Sequence, residues 1–173
     1  MTDTVMTIIG IFLAALLMFI YPLMAITGKN DEIAQTVVEV AVADFVREVT
    51  SNGKITELDY EKLVQKISAT GNTFDVQLEV QLFDDNNVRK NTILATSNGT
   101  NKYYSIYTND ILNKIEKENG VYLLKKYDQV KVTVKNTNIT LGTQLKNVLY
   151  NLIGKETYTI GTTSTGVVVN GGI

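Results

Sequence analysis

The chain is 173 residues long with a net charge of −2, which suits one folded domain plus an appendage and leaves no sign-dominated surface for nucleic acid or anionic lipid. It contains no cysteine and no histidine. A disulfide framework is therefore excluded, and the commonest general base and transition-metal ligand are missing, although carboxylate chemistry stays available.

The run from Val5 to Ile26 holds no charged residue. As a helix it reaches roughly 33 Å, enough to cross a hydrocarbon core. A removed secretory signal needs a basic start and a shorter apolar run. A core helix of a soluble protein is seldom so long without a charge. The run is therefore expected to be a retained hydrophobic helix, in a membrane or in an assembly. Gly10, Ala14 and Ala15 are its small positions, where another helix can approach closely. Tyr21 suits an interface, and Pro22 removes a backbone donor, so a kink or a local loosening is expected there. The flanks carry Asp3 on one side and Lys29, Asp31 and Glu32 on the other, so charge hardly biases orientation. The polar, sparsely charged remainder points to an external domain.

Asp31 to Val49 has helical periodicity. Ala34, Val38, Ala41, Val42, Phe45 and Val49 form one stripe, and Glu32, Gln35, Glu39, Ala43 and Arg47 lie opposite. Gly28-Lys29-Asn30 either separates this helix from the apolar one or only bends it. The stripe needs a cover, either the chain's own sheet or neighbouring copies.

Asn52-Gly53 is a natural helix stop. Thr56 then caps a helix from about Glu57 to Ala69, with Asp59 at the capping-box position and Gly71 as the stop. Phe74, Val76, Leu78, Val80 and Leu82 alternate with polar residues, which predicts a half-buried antiparallel strand. Asp84 to Asn87 reads as a turn, Val88 to Ser97 as a second strand, and Tyr103 to Tyr107 as a short strand or a helix lead-in. Asn109 is expected to cap a helix from Asp110 to Glu118, ended by Gly120. Val121 to Val134 holds one or two strands, Leu141 to Ile153 an amphipathic helix, and Thr157 to Val169 one or two further strands. The end, Asn170-Gly171-Gly172, is flexible unless something holds it. The expected class is α+β: a long N-terminal hydrophobic helix, then an antiparallel sheet with helices on one face. Residues 1–50 would be the hydrophobic and amphipathic helix, and residues 51–173 the polar domain.

No chemistry-bearing motif stands out. Asp84 to Asn87 offers oxygen ligands but lacks the EF-hand alternation and its closing Glu. Asn98 and Asn138 sit in glycosylation sequons of the kind an Asn- and Thr-rich chain produces by chance. Glu57, Asp59 and Glu61 complement a helix N-terminus. No nucleophile elbow or phosphate loop is present, and Lys125-Lys126 is too short for a nucleic-acid patch. The reading is a non-enzyme with no catalytic residue, no cofactor, no metal and no nucleic-acid partner.

An uncharged N-terminal helix running into an amphipathic one and then a small α+β domain resembles the bacterial type IV pilins. Gly53-Lys54-Ile55-Thr56, Tyr60-Glu61 and Ala69 to Val76 are similar to the pilin-like proteins of tight-adherence (Tad) pilus systems. The resemblance implies a filament whose core is a bundle of the apolar helices, in which a glutamate at the fifth mature position meets a neighbour's N-terminal amine. Val5 stands at position five here, so Asp3, the only nearby acid, becomes the candidate for that pairing. The glycine-ended leader that the resemblance implies is not visible in this sequence. The expected function is a structural subunit of a bacterial surface filament, with Asp3, Gly10, Ala14, Ala15 and Pro22 as assembly residues. Its partners would be copies of itself, the membrane before assembly, and other pilus proteins. The alternative is a single-pass anchored extracellular binding domain or a minor pilus-assembly component.

Overall fold

The computed structural model describes residues 2–83, 103–117, 119–145, 147 and 159–172. One helix, α1, runs from Thr2 to Asn52. The two predicted helices are thus a single rod, and Gly28-Lys29-Asn30 neither breaks nor separates them. A glycine inside a helix costs only about 1 kcal/mol relative to alanine, and Gly28 is buried, so packing at the junction offsets that cost. The stop comes at Gly53, whose φ of 65° is left-handed. Its N–H closes the last turn on the Val49 carbonyl at 2.9 Å. Any Cβ here would also strike the backbone of Asn170 and Gly172, so both conformation and close approach call for glycine.

After α1 come β1 (Lys54–Thr56), α2 (Glu57–Ser68), β2 (Phe74–Phe83), β3 (Tyr103–Tyr107), α3 (Thr108–Lys117), β4 (Val121–Leu123) and β5 (Gln129–Asn136). A short helical stretch, α4 (141–145), precedes β6 (Gly161–Val167). The capping box forms as expected: Thr56 Oγ1 accepts the Asp59 N–H at 3.1 Å, and Asp59 Oδ2 accepts the Thr56 N–H at 3.3 Å. At α3 the helix starts at Thr108 rather than after Asn109. The Thr108 hydroxyl accepts the Leu78 N–H at 2.8 Å and so ties the helix start to β2.

The main sheet has the antiparallel order β3-β2-β5-β6, and β1 and β4 form a separate antiparallel ribbon. Its register puts Val76 opposite Val134, Leu78 opposite Val132, and Val80 opposite Val130. Period-two alternation sends these to one face. Leu78, Val80, Val130, Val132 and Val134 are buried, and Phe74, Val76 and Leu82 pack against them at the margin. Ala34, Val38, Ala41, Val42, Phe45 and Val49 of α1 close over that face, so the expected stripe is covered by the chain's own sheet. Leu63 and Ile67 of α2, and Ile111 and Ile115 of α3, complete the same core. The other sheet face is polar along most of β2 and β5, with Phe83, Tyr103, Tyr107 and Val167 as apolar or aromatic members toward one end. On it Glu79 lies opposite Lys131, with the ammonium 3.2 Å from the carboxylate, and the hydroxyls of Thr133 and Thr163 are 3.1 Å apart.

Two tertiary ties escape local pattern. Gln35, placed by periodicity on the polar side of α1, turns its amide onto the start of β6: it donates to the Gly161 carbonyl and accepts the Gly161 N–H, each at 2.9 Å. The fully buried Asp128 accepts the Phe83 N–H at 2.8 Å and the Lys125 N–H at 2.7 Å, which pins the β4–β5 turn to the end of β2. The C-terminal segment is held as well, with the Gly172 N–H on the Leu124 carbonyl at 3.0 Å. The expected Asp84–Asn87 turn, the Val88–Ser97 strand, Asn98 and most of the Leu141–Ile153 helix beyond α4 lie outside the described residues. Asn138 is half-buried, and its side chain accepts the Thr73 N–H at 2.7 Å and donates to Asn72 at 3.1 Å. Its amide nitrogen is thus already engaged in the fold.

Candidate functional site

The first half of α1 stands clear of the domain. It is long and apolar enough to cross a membrane, and none of its most apolar window is buried within the chain. Phe12, Met18, Phe19 and Tyr21 are each at least two-thirds exposed, at 67%, 78%, 79% and 77%. Such a surface is compatible with a membrane-anchor helix, because in lipid the helical ladder satisfies every backbone group and the side chains match the solvent.

All five residues singled out in the sequence lie on this bare half. Asp3, Gly10 and Ala14 are spaced by seven and four residues, so they share one side of the helix. Ala15 and Pro22, spaced by seven, share another. Asp3 is exposed, and its carbonyl accepts the Thr7 hydroxyl at 2.7 Å. A Cβ added at Gly10 would meet nothing within 4 Å. The domain therefore gives no reason for glycine at this position, where it costs about 1 kcal/mol of helix stability. Helical structure runs unbroken through Pro22. Only the Met18 carbonyl loses its partner there, since proline has no N–H.

The rod leaves the domain through a built collar. Asp31 is 4% exposed, and its Oδ2 accepts the Thr140 hydroxyl at 3.1 Å. The same hydroxyl accepts the Thr143 N–H at 3.0 Å, which makes Thr140 the N-cap of α4. The Asp31 carboxylate thus faces a helix N-terminus, where negative charge is favoured. Gly142 lies against it so closely that any Cβ would collide with Asp31 and with the Thr27 carbonyl. Neither Asp31 nor Gly142 is conspicuous in the sequence; only the Thr140-x-x-Thr143 spacing hints at the cap.

Just past the collar α1 carries a second apolar stripe, on a side turned away from the sheet. Ile33 is 63% exposed, Val37 37% and Val40 56%. Exposed Lys29 stands at its start, and exposed Glu32 and Glu39 flank one edge. It borders a shallow groove lined by Asn30, Ile33, Ala34, Val37, Ala69 and Thr70, where α2 ends beside α1. One turn further, Asp44 and Arg47 close the stripe with an ion pair of 2.7 Å. Its spacings of four and three match those of the buried stripe, but it ends after three residues, where Asp44 and Arg47 replace apolar side chains, so periodicity marks the longer stripe instead.

Among the described residues no group of three or more acidic, cysteine or histidine side chains could hold a metal ion. Comparison of the chain with protein-family models, with curated proteins and with solved structures gives no match in any of the three.

Proposed function

We propose that the chain is a structural subunit of a bacterial surface filament, held in the membrane by the first half of α1 before assembly and by copies of the same helix afterwards. The observation that carries this reading is one uninterrupted helix whose first half is bare and whose second half is the spine of the domain. A large apolar side chain gains about 1.5–3 kcal/mol on leaving water. The exposed set from Val5 to Ile26 therefore represents on the order of 20 kcal/mol, more than the ~5–15 kcal/mol that stabilises a typical domain. Such a surface needs lipid or other helices. Because the rod is continuous with the domain core and clamped at Asp31, helix packing would place each domain at a defined distance and angle from its neighbours. The α+β domain would form the outer surface. The role is structural and assigns no catalytic residue.

The test is negative-stain imaging of full-length protein after detergent removal, alongside its sedimentation in detergent and in bilayers. Filaments of regular width are expected. Protein that stays monomeric in all three settings would instead be a single-pass anchored domain.

A further inference from the structure

Membrane anchoring by itself does not cover the exposed stripe Ile33–Val37–Val40. It stands at the level of Lys29, Glu32 and Glu39, in water, beyond the apolar half that lipid would cover. Nor do the described residues of the domain cover it, since the sheet takes the neighbouring side of α1. We propose that this stripe is the docking seat for the apolar half of α1 from a second copy of the chain, parallel to the first and displaced along the axis by about 26 residues, or roughly 39 Å. The inference rests on the filament reading and specifies its contact.

Three observations choose this occupant and this displacement. The first is charge. Asp3 is the one charged residue before Lys29, and Lys29 is exposed beside the stripe. The displacement sets a neighbour's Asp3 level with Lys29, whereas copies in register would set Asp3 beside Asp3. The second is shape. Asp3, Gly10 and Ala14 share one side of the rod, and Lys29, Ile33, Val37 and Val40 share another, at matching heights. Gly10 then falls beside Val37 and Ala14 beside Val40, so the bulky side chains meet the positions with least side chain, and Met6 falls beside Ile33. That answers the open space at Gly10. The third is room. With this displacement the neighbour's Gly28, where its domain begins, stands just beyond Asn52, the end of the first copy's α1. Helices packing at about 8–10 Å therefore have room to meet along residues 29–40 and to diverge past the Asp44–Arg47 pair before the next domain starts.

The chain has no cysteine, so cross-linking starts from a clean background. Full-length chains carrying Met6→Cys are co-expressed with full-length chains carrying Ile33→Cys, and the assembled material is oxidised mildly. Both sites are exposed, and a disulfide needs Cα atoms within about 7 Å. A 6–33 disulfide dimer is expected in the mixture, with none from either variant alone. The reversals Asp3→Lys and Lys29→Asp should each remove most of that product, and the double reversal should restore it. An Ile33→Cys homodimer would mean copies in register and overturn the proposal. So would a link only to a different protein, or filaments that form with no 6–33 link; each of these leaves the filament reading standing. Material that never assembles on the grid would overturn the filament reading and this contact with it.

Discussion

The closeness of α1 to the sheet can be tested at Gly166. In β6 a Cβ at this position would stand 2.8 Å from Val46 Cγ1 and 3.0 Å from Thr50 Cγ2, about 0.5–1 Å inside ordinary carbon contact. Thr50 cannot simply turn aside: it is 9% exposed, and its hydroxyl donates to the Val46 carbonyl at 2.7 Å. Alanine removes some of glycine's backbone freedom and would gain about 0.5–1 kcal/mol in a strand. Overpacking costs about 1–3 kcal/mol. Gly166→Ala should therefore lose a net ~0–2.5 kcal/mol, and Gly166→Val more than ~3 kcal/mol, with Tm falling about 3–5 °C per kcal/mol for a domain of this size. The relief experiment is Val46→Ala. Alone it removes two buried carbons and should cost about 1–2.5 kcal/mol. Combined with Gly166→Ala it makes room for the new methyl, so the pair should be milder than the sum by at least ~1 kcal/mol. Thermal melting of the full-length chain in detergent, followed by circular dichroism, reads all four proteins. A Gly166→Ala variant more stable than wild type, or strictly additive losses, would show that α1 does not lie this close on β6.

Other expectations are independent of that contact. Asp128→Ala leaves the Phe83 and Lys125 N–H groups without their acceptor in a buried site, so it should cost about 2–5 kcal/mol. The change should appear as a lower urea midpoint with an unchanged slope. Hydrogen bonds from Gln81 and Ser105, then the bond and charge of Lys131, outweigh desolvation and hold the Glu79 carboxyl below its ordinary value. A folded pKa below the unfolded one makes its stabilisation complete above the unfolded value of about 4.3 and lost as pH falls through the folded value. Glu79→Gln should thus flatten the acid limb of a stability–pH curve, and an unchanged limb would rule out the assignment. Deleting residues 1–27 should leave a water-soluble domain that melts cooperatively, since every buried side chain of α1 from Asp31 onward remains. A fragment without a melting transition would mean that the domain needs the rod.

Much of the fold is legible in the sequence because its signals are local. The uncharged run from Val5 to Ile26 announces a lipid- or helix-facing segment by length alone. The alternation from Phe74 to Leu82 fixes which strand face is buried, since a one-residue slip would reverse it. Thr56 with Asp59, and Gly53, mark helix ends because orphan N–H groups and left-handed turns accept few residue types. The three-residue strand β1 escapes such reading, being too short to show a period; it pairs with β4, which falls within the expected Val121–Val134 strands.

What tertiary structure alone decides is which of several equivalent local patterns meets which surface. Ala34–Val38–Ala41 and Ile33–Val37–Val40 are both apolar stripes on the same stretch of α1; periodicity marks the first because it continues through Val42, Phe45 and Val49, but it does not say what becomes of the second. The sheet covers the first because β5 and β6 lie on that side, where Gly166 admits the helix and Gln35 grips Gly161. The second is left bare. Asp31 likewise looks like a solvated charge in the sequence and becomes a buried clamp only when Thr140 and Gly142, more than a hundred residues away, arrive beside it. Local sequence sets what each segment can be, through backbone sterics and side-chain period. Burial of a particular face is a property of the surface it meets, and the chain builds that surface only when it folds.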